Sequence, residues 1–210
     1  LFPECPQNLA LEQSWKTADL TTRHDPAALA VSVEIRHPRL QAMALEPRAV
    51  VAHWQNDRLT VWLPGQTPHR ARTDLASQLD LDPAQVRVIS TDVGGAFGAR
   101  ASLHPEEVVV AWLALRQQTA VKWVADRGED FLAQVHGRGT ACQAEGIFRP
   151  DGRLLGLTAR IEGLLGHWLP FSAAVPAWNA ARILPGPYDV DDVDIEMSAR
   201  LTPTSGGNIY

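Results

Sequence analysis

The most informative segment of this sequence leads from an apolar strand pattern into a cluster of glycines. Residues 86–100 read VRVISTDVGGAFGAR, so that Gly94 and Gly95 follow the apolar alternation and Gly98 follows Phe97 directly. The alternation predicts a β-strand. Glycine lacks a Cβ, which permits sharp bends and a close approach between the backbone and a neighbour or ligand. The segment therefore predicts a strand that ends in a bare main-chain loop carrying one aromatic side chain.

The glycine spacing allows two interpretations of this loop. Gly-Gly-Ala-Phe-Gly matches neither the dinucleotide pattern G-x-G-x-x-G nor the phosphate loop that ends in Gly-Lys-Ser/Thr. A purely structural turn is one interpretation, since glycine clusters commonly punctuate strands. A ligand-binding loop is the other, because a bulky apolar side chain on such a turn either fills a gap in the core or shapes the wall of a pocket. The loop residues alone leave both open.

Composition excludes some classes of protein. The 210 residues are 45% hydrophobic and 20% charged, which is enough for one sizeable core or two smaller ones. The net charge is -5 and the basic residues are scattered, so the sequence has no basic cluster of the kind that binds nucleic acid or an anionic membrane. The longest apolar run, 108–115, is too short to span a bilayer. Two distant cysteines, Cys5 and Cys142, fit a reducing compartment, so we expect a cytoplasmic protein.

Strand patterns recur along the chain and predict an α+β fold, with mixed β-sheets and flanking helices. A turn of the Pro-Asp-Gly type at residues 150–152 predicts two further strands around it. Period-two alternation of apolar and β-branched residues predicts strands at 31–37, 48–54, 58–64, 86–92 and 120–127.

Three helices are predicted between these strands. Ala71, Leu75 and Leu79 are four residues apart and form one apolar helical face. A second helix is expected to start at Pro105, because proline suits the first helical position and acidic residues follow it. A short third helix is expected after Asp126, whose side chain would cap it together with the glutamate three residues later.

The order of these elements predicts two lobes joined near residue 118. Residues 1–30 are rich in Pro, Asp and Thr and are expected to form an irregular lead-in segment. Residues 31–118 would form a first α/β repeat that carries the glycine-rich loop, and residues 119–210 a second, truncated one. After about residue 166 the pattern weakens, and a loop-rich crossover is expected there.

Five segments, in order, resemble the molybdenum-binding large subunit of the xanthine dehydrogenase and aldehyde oxidase superfamily. The bacterial branch that resembles carbon monoxide dehydrogenase is the most similar in style. The resemblance covers essentially the whole chain. The segments are PECPQNLA, MALEPRA, RLTVWLPGQTPHR, STDVGGAFGAR with the helix that follows it, and LPGPYDVDDV.

The resemblance implies a site for the molybdenum cofactor. In that family a glycine-phenylalanine loop and an upstream glutamine approach the metal and its pterin. Backbone N–H groups and a glutamine amide would meet the acceptor atoms of the cofactor, and no side chain of this chain would ligate the metal. The matching positions here are Gln66, Gly94, Gly95, Ala96, Phe97 and Gly98.

The resemblance also implies an activity and its partners. The parent protein would be a molybdopterin-dependent hydroxylase or dehydrogenase that oxidises a small carbonyl, heterocyclic or CO-like substrate, with water as the source of oxygen. The cofactor would be the cytosine dinucleotide form of molybdopterin. FAD and 2Fe-2S clusters would reside on partner subunits or domains, because the chain has no cysteine motif for a cluster.

The sequence departs from the family pattern at three places. Ala96 stands where a third glycine is frequent, and Ala101 stands where purine-hydroxylating members carry a glutamate, so a xanthine-type substrate is not expected. The Arg-Gly-x-Gly stretch and the catalytic glutamate of the family would lie beyond Tyr210, so no catalytic residue is assigned. We therefore expect the chain to be a fragment of a large subunit, inactive alone and without a tightly held cofactor.

Two other functions remain open from the sequence. A non-catalytic paralogue or assembly module would have the same fold without a working site. A nucleotide-binding module would use residues 94–98 as a phosphate cradle, which requires the amino end of a helix to face the loop.

Overall fold

The chain divides by its contacts into two units. The computed structural model describes residues 2–17, 26–190 and 192–210. The first unit comprises Leu1–Leu40 and Gly137–Ile209, and the second comprises Gln41–His136 with Tyr210. The second unit is therefore inserted, in sequence, into the first.

The described residues contain strands and helices in both units, as an α+β fold requires. The strands are β1 (Leu9–Lys16), β2 (Leu29–Arg36), β3 (Arg39–Gln41), β4 (Ala49–Gln55), β5 (Arg58–Trp62), β6 (Val86–Ile89), β7 (Ala120–Val124), β8 (His136–Arg138), β9 (Thr140–Phe148), β10 (Leu154–Gly166) and β11 (Asp192–Leu201). The α-helices are α1 (Pro68–Leu79), α2 (Pro105–Gln117), α3 (Arg127–Ala133) and α4 (Val175–Arg182). No helix in the described ranges is long and apolar enough to cross a membrane.

A five-stranded sheet with the order β1-β11-β10-β9-β2 forms the first unit. The strands β10 and β11 run parallel, and the other neighbours are antiparallel. Helix α4 packs on β10 and β11, where Gly163 leaves room for it: a Cβ at this glycine would lie 2.6 Å from the Cβ of Ala177. Ile195 and Met197 are buried in this layer, so the core of the first unit lies between the helix and the centre of the sheet.

A four-stranded sheet with the order β6-β5-β4-β7 forms the second unit. Helices α1 and α2 pack against it and bury an aliphatic core that includes Val61, Leu75 and Ala111. The strand β6 lies at one edge of this sheet and is parallel to β5. The glycine-rich segment therefore begins where an edge strand ends.

The predicted fold class and most predicted elements are confirmed. The expected strands between residues 48 and 127 correspond to β4, β5, β6 and β7, and the Pro-Asp-Gly turn joins β9 to β10. Helix α2 begins at Pro105 as predicted. Asp126 and Glu129 cap α3 reciprocally: Asp126 Oδ1 accepts from the Glu129 N–H at 2.8 Å, and the Glu129 carboxylate accepts from the Asp126 N–H at 2.9 Å.

The prediction that residues 1–30 form an irregular lead-in segment is wrong for the described residues before residue 18, because residues 9–16 form strand β1. Strand β1 pairs antiparallel with β11 and completes the five-stranded sheet, while residues 18–25 of the predicted lead-in lie outside the described ranges. Local pattern missed this edge strand because Gln13 interrupts the face that Leu11 and Trp15 share and no residue of the strand is buried. On the other face, Lys16 forms an ion pair with Asp194 at 3.1 Å.

The boundary predicted near residue 118 does not divide the chain. Strand β7 pairs antiparallel with β4, so residues 120–124 belong to the same sheet as residues 49–55. The loop-rich crossover predicted after residue 166 is also wrong in part, because it contains α4 and leads into β11. In β11 acidic residues alternate with Ile195 and Met197, and this high acidic content hid a strand whose other face is buried.

Candidate cofactor-binding loop

The glycine-rich loop follows β6 and lies at the surface of the second unit. The backbone angle φ is positive at Gly95 (108°), Phe97 (50°) and Gly98 (85°), and it is not positive at Ala96. The alanine at that position is therefore compatible with the turn, although a third glycine is frequent in the family pattern. A positive φ at an aromatic residue is uncommon and costs about 1–3 kcal/mol. Such local strain is typical of functional loops.

The first two glycines of the loop allow it to lie directly on the segment before β4. A Cβ at Gly94 would lie 2.5 Å from the Cβ of Glu46, and a Cβ at Gly95 would lie 3.1 Å from that of Ala44. The ring of Phe97 folds over Gly95, with its Cε2 atom 3.1 Å from the same hypothetical Cβ. Even so, 59% of the Phe97 surface is exposed, so this side chain does not fill a gap in the core.

Gln66 lies beside the carboxyl end of this loop. Its backbone N–H donates to the Arg100 carbonyl at 3.0 Å, and its side-chain Oε1 accepts from the Arg100 N–H at 3.2 Å. Since Oε1 holds this bond, the Nε2 amide group is the part of the side chain that is left for another partner. Gln66 is exposed, and its Nε2 has no acceptor within the described ranges.

The loop offers several hydrogen-bond donors together. The backbone N–H groups of Gly95, Ala96 and Phe97 have no acceptor in the part of the chain that the structure describes. Arg100 is 5% exposed, and its buried Nε–H likewise has no hydrogen-bond partner there. The three exposed-loop N–H groups and the Gln66 amide are the kind of donors that a ligand rich in acceptor atoms needs, such as a pterin with a metal-oxo group, whereas the Arg100 Nε–H is buried from solvent.

A glutamate that the sequence analysis did not single out holds the loop in place. The Glu46 carboxylate accepts from the Gly94 N–H at 2.8 Å and from Nη1 of Arg100, and its carbonyl accepts from Nη2 of Arg100. Partial burial acts to raise the pKa of Glu46, but the hydrogen bonds from Arg100 and Gly94 outweigh it and hold the pKa below its usual value. The sequence did contain a signal for this residue, because Glu46 lies in MALEPRA, one of the five segments that resemble the family.

Buried charges support the segment that carries Glu46. Arg48 is 1% exposed; its Nε lies 3.0 Å from Asp130 and its Nη1 lies 3.1 Å from Glu106. The guanidinium also lies over the Trp123 ring, 5.4 Å from its centroid. Arg127 donates to two main-chain carbonyls just before Glu46, at 2.8 and 2.7 Å. Side chains from three other elements therefore fix this short segment.

His104 and Glu107 have structural positions at the amino end of α2. The Glu107 carboxylate accepts from the His104 N–H at 2.9 Å, so this first-turn acid caps the amino end of α2. Within residues 2–17, 26–190 and 192–210, no group of three or more His, Cys, Asp or Glu side chains could hold a metal ion.

We expect Glu107→Gln to stabilise the protein increasingly above about pH 4.5, with the full gain reached above pH 7. Burial raises the pKa of Glu107 to about 7, from 4.5, so the folded state keeps a neutral carboxyl while the unfolded state ionises. Its contribution to stability is thus lost as pH rises from 4.5 towards 7. The variant should match the wild type at pH 4 and exceed its free energy of unfolding by roughly 2–3 kcal/mol at pH 8. Urea unfolding at both pH values measures this difference.

The control for this variant is Glu129→Gln. Glu129 occupies the equivalent capping position of α3 but is exposed, so its substitution should give no gain at pH 8. Burial lowers the pKa of His104 to about 3, which makes wild-type stability rise with pH up to about 6.5, in opposition to Glu107. Both variants retain His104, so a Glu107→Gln difference that is constant across pH would contradict the prediction.

The fold and the loop together define a class of protein. An α+β unit presents open main-chain donors on a glycine-rich turn, and Gln66, from the segment between β5 and α1, is hydrogen-bonded to the end of that turn. Residues 1–210 match the family model of the molybdopterin cofactor-binding domain, and the chain belongs to this family. The resemblance found in the sequence is therefore confirmed.

Relatives of known activity show the same kinship. The chain is 32% identical over 204 residues to the nicotine 6-hydroxylase large subunit of Paenarthrobacter nicotinovorans, which covers 95% of this chain and 25% of that protein. It is 28% identical over 188 residues to the carbon monoxide dehydrogenase large chain of Hydrogenophaga pseudoflava, with 87% and 23% covered. The structure matches quinoline 2-oxidoreductase from Pseudomonas putida 86 with a TM-score of 0.91 and 29% identity, over 97% of this chain and 26% of that one. The chain thus spans about a quarter of the length of these relatives.

Proposed function

We propose that this chain forms one wall of the cofactor site in the large subunit of a molybdopterin-dependent hydroxylase or dehydrogenase. The observation that carries the proposal is the group of open backbone donors at residues 95–97, on a loop whose end at Arg100 is hydrogen-bonded to Gln66. When bound, the molybdenum cofactor supplies a two-electron oxidation in which water provides the oxygen atom. The 210 residues alone would hold the cofactor weakly and would not turn over.

Each site residue has a separate task in this proposal. The Gln66 amide donates to an acceptor atom of the cofactor, while its oxygen stays bound to the Arg100 N–H. The backbone N–H groups of Gly95, Ala96 and Phe97 donate to further acceptors. The glycines at positions 94 and 98 provide the close approach and the bend that aim these donors. The exposed Phe97 ring forms an apolar wall that excludes water from one side of the site.

We propose a small nitrogen heterocycle as the substrate, ahead of a carbonyl compound or carbon monoxide. Nicotine and quinoline, in the names of two of the relatives, are compounds of this kind, and these relatives are 32% and 29% identical to the chain. Ala101, four residues after Phe97, is buried and apolar, so it offers no carboxylate for a purine.

The proposal includes further cofactors and partners. The relatives are named as large subunits or large chains, which fits an enzyme whose FAD and 2Fe-2S clusters reside on partner subunits. We propose the cytosine dinucleotide form of molybdopterin and a location in the cytoplasm. Cys5 and Cys142 are not joined in a disulfide, which fits that compartment.

Elemental analysis of the full-length protein, purified with its partner subunits, tests the proposal. We expect about one molybdenum per large subunit, as a tightly bound cofactor requires. The same protein from a host that cannot make molybdopterin is the control and should contain none. Metal-free protein from a host that makes the active cofactor would contradict the proposal and favour the non-catalytic paralogue.

The nucleotide-binding alternative loses support in this geometry. A phosphate cradle needs open donors at the start of the loop and the amino end of a helix facing it. Here the Gly94 N–H already donates to a carboxylate, whose negative charge would repel a phosphate. The amino end of α2 is buried at His104, and the N–H of this residue donates to Glu107.

A further inference from the structure

We propose that Glu46 is a positioning residue, which fixes the glycine-rich loop and, through Arg100, the direction of the Gln66 amide. This inference rests on the proposed function, because the amide is positioned for the cofactor. The Glu46 carboxylate contacts neither the open donors of the loop nor Gln66 directly. Its effect on the site must therefore pass through the residues that it holds.

The first step of the argument is that Glu46 contacts both ends of the loop. At the beginning, its carboxylate accepts from the Gly94 N–H at 2.8 Å and its own N–H donates to the Gly94 carbonyl at 3.2 Å. At the end, the carboxylate and the carbonyl of Glu46 accept from two nitrogens of Arg100. One residue thus sets the positions of Gly94 and Arg100, the residues that flank the donors.

The second step is that Arg100 connects Glu46 to Gln66, so the position of Glu46 determines that of Gln66. The guanidinium of Arg100 is held by Glu46, whereas its main-chain N–H and C=O contact Gln66 at 3.2 and 3.0 Å. A guanidinium that donates to both the carboxylate and the main-chain carbonyl of one residue is fixed in distance and in orientation. Arg100 is 5% exposed, so water competes little for its side chain. Loss of the Glu46 charge should therefore loosen the loop and the acceptor bond that orients the Gln66 amide.

The third step is that Glu46 itself is firmly held. Arg127 donates to the carbonyls of Ala44 and Leu45, and Arg48, two residues after Glu46, forms buried ion pairs. The side chain of Glu46 is 35% exposed, so its contacts are charge-assisted but not sealed from water. Substitution should therefore affect the loop selectively and leave the buried support of the segment intact.

The test uses the full-length protein with its cofactor and partner subunits. Glu46→Gln keeps the length of the side chain and removes its charge, and Arg100→Lys keeps the charge but cannot make both contacts. Asp82→Asn is the matched control, because Asp82 is an exposed carboxylate in the same unit that also accepts a backbone N–H, from Ala84 at 2.7 Å.

Hydrogen exchange and electron paramagnetic resonance of these variants test the inference. Hydrogen exchange of the peptide 92–101 should be about tenfold faster in Glu46→Gln and in Arg100→Lys, and unchanged in Asp82→Asn. The electron paramagnetic resonance spectrum of the molybdenum centre should shift in the first two variants at equal molybdenum content. A residue that served stability alone would leave this spectrum unchanged.

The outcomes separate this inference from the proposed function. Unchanged exchange in peptide 92–101, in protein that contains molybdenum, would overturn the role of Glu46 alone. Faster exchange throughout residues 41–136 would also overturn it, because Glu46 would then support the unit as a whole. Faster loop exchange with an unchanged spectrum would overturn the link to Gln66. Wild-type protein without molybdenum would refute the proposed function and, with it, the role towards the cofactor.

Discussion

A Gln66→Glu variant of the full-length enzyme is expected to lose turnover by about 10²–10³-fold, the typical effect of removing one positioned donor. A glutamate can still accept the Arg100 N–H through a side-chain oxygen, so the local fold should persist. The variant lacks the amide N–H₂ group and adds a negative charge where the cofactor presents acceptor atoms. Steady-state turnover, normalised to molybdenum content, measures the loss.

Gln85→Glu provides the matched control for this substitution. The side-chain oxygen of Gln85 also accepts a backbone N–H, from Asp82 at 3.1 Å, and the residue lies in a short turn before β6. It does not contact the glycine-rich loop, so turnover should remain near the wild-type value. If Gln66→Glu were as active as Gln85→Glu, the assignment of the Gln66 amide to the cofactor would be wrong.

The largest loss of stability is expected for Arg48→Met, which should lower the free energy of unfolding by about 3–5 kcal/mol. Methionine fills much of the same volume but leaves the carboxylate of Asp130, 2% exposed, buried without its closest cationic partner. It also removes the contact between the guanidinium and Trp123. Chemical denaturation of the purified protein, followed by tryptophan fluorescence, gives the change.

Two further variants test the reason for this loss. Arg70→Met removes an exposed partner of Asp74 on α1 and should cost less than about 1 kcal/mol. The double variant Arg48→Met with Asp130→Asn should recover part of the stability, because it removes the charge that was left unpaired. A loss for Arg48→Met as small as that for Arg70→Met would show that water reaches the buried pair.

Local patterns predicted the elements that bury one clear face. The apolar positions of α1 and the alternation in β4, β5 and β6 follow their structural periods, so both the fold class and the position of the loop could be read from the sequence. Glycine and proline signals also identified the turn between β9 and β10. Strand β1 gave no such pattern, because Gln13 interrupts its apolar face and this edge strand buries no residue.

The supporting contacts of the loop could not be predicted, because they join distant parts of the chain. Glu46 and Arg100 are 54 residues apart, and Arg48 and Asp130 are 82 apart. No local spacing indicates such a pair, and a charged residue is by default expected to be solvated. The resemblance pointed to the segment around Glu46 without assigning it a task. That Gln66 and the five loop positions bind a cofactor stays a prediction until a variant is measured.

The backbone angle at Ala96 has an evolutionary consequence. Any L-amino acid can adopt a negative φ, whereas Gly95 on one side is constrained both by its angle and by its neighbour Ala44. Mutations at position 96 can therefore accumulate without rebuilding the turn. The backbone of the loop thus tolerates variation at position 96 that it does not tolerate at Gly95.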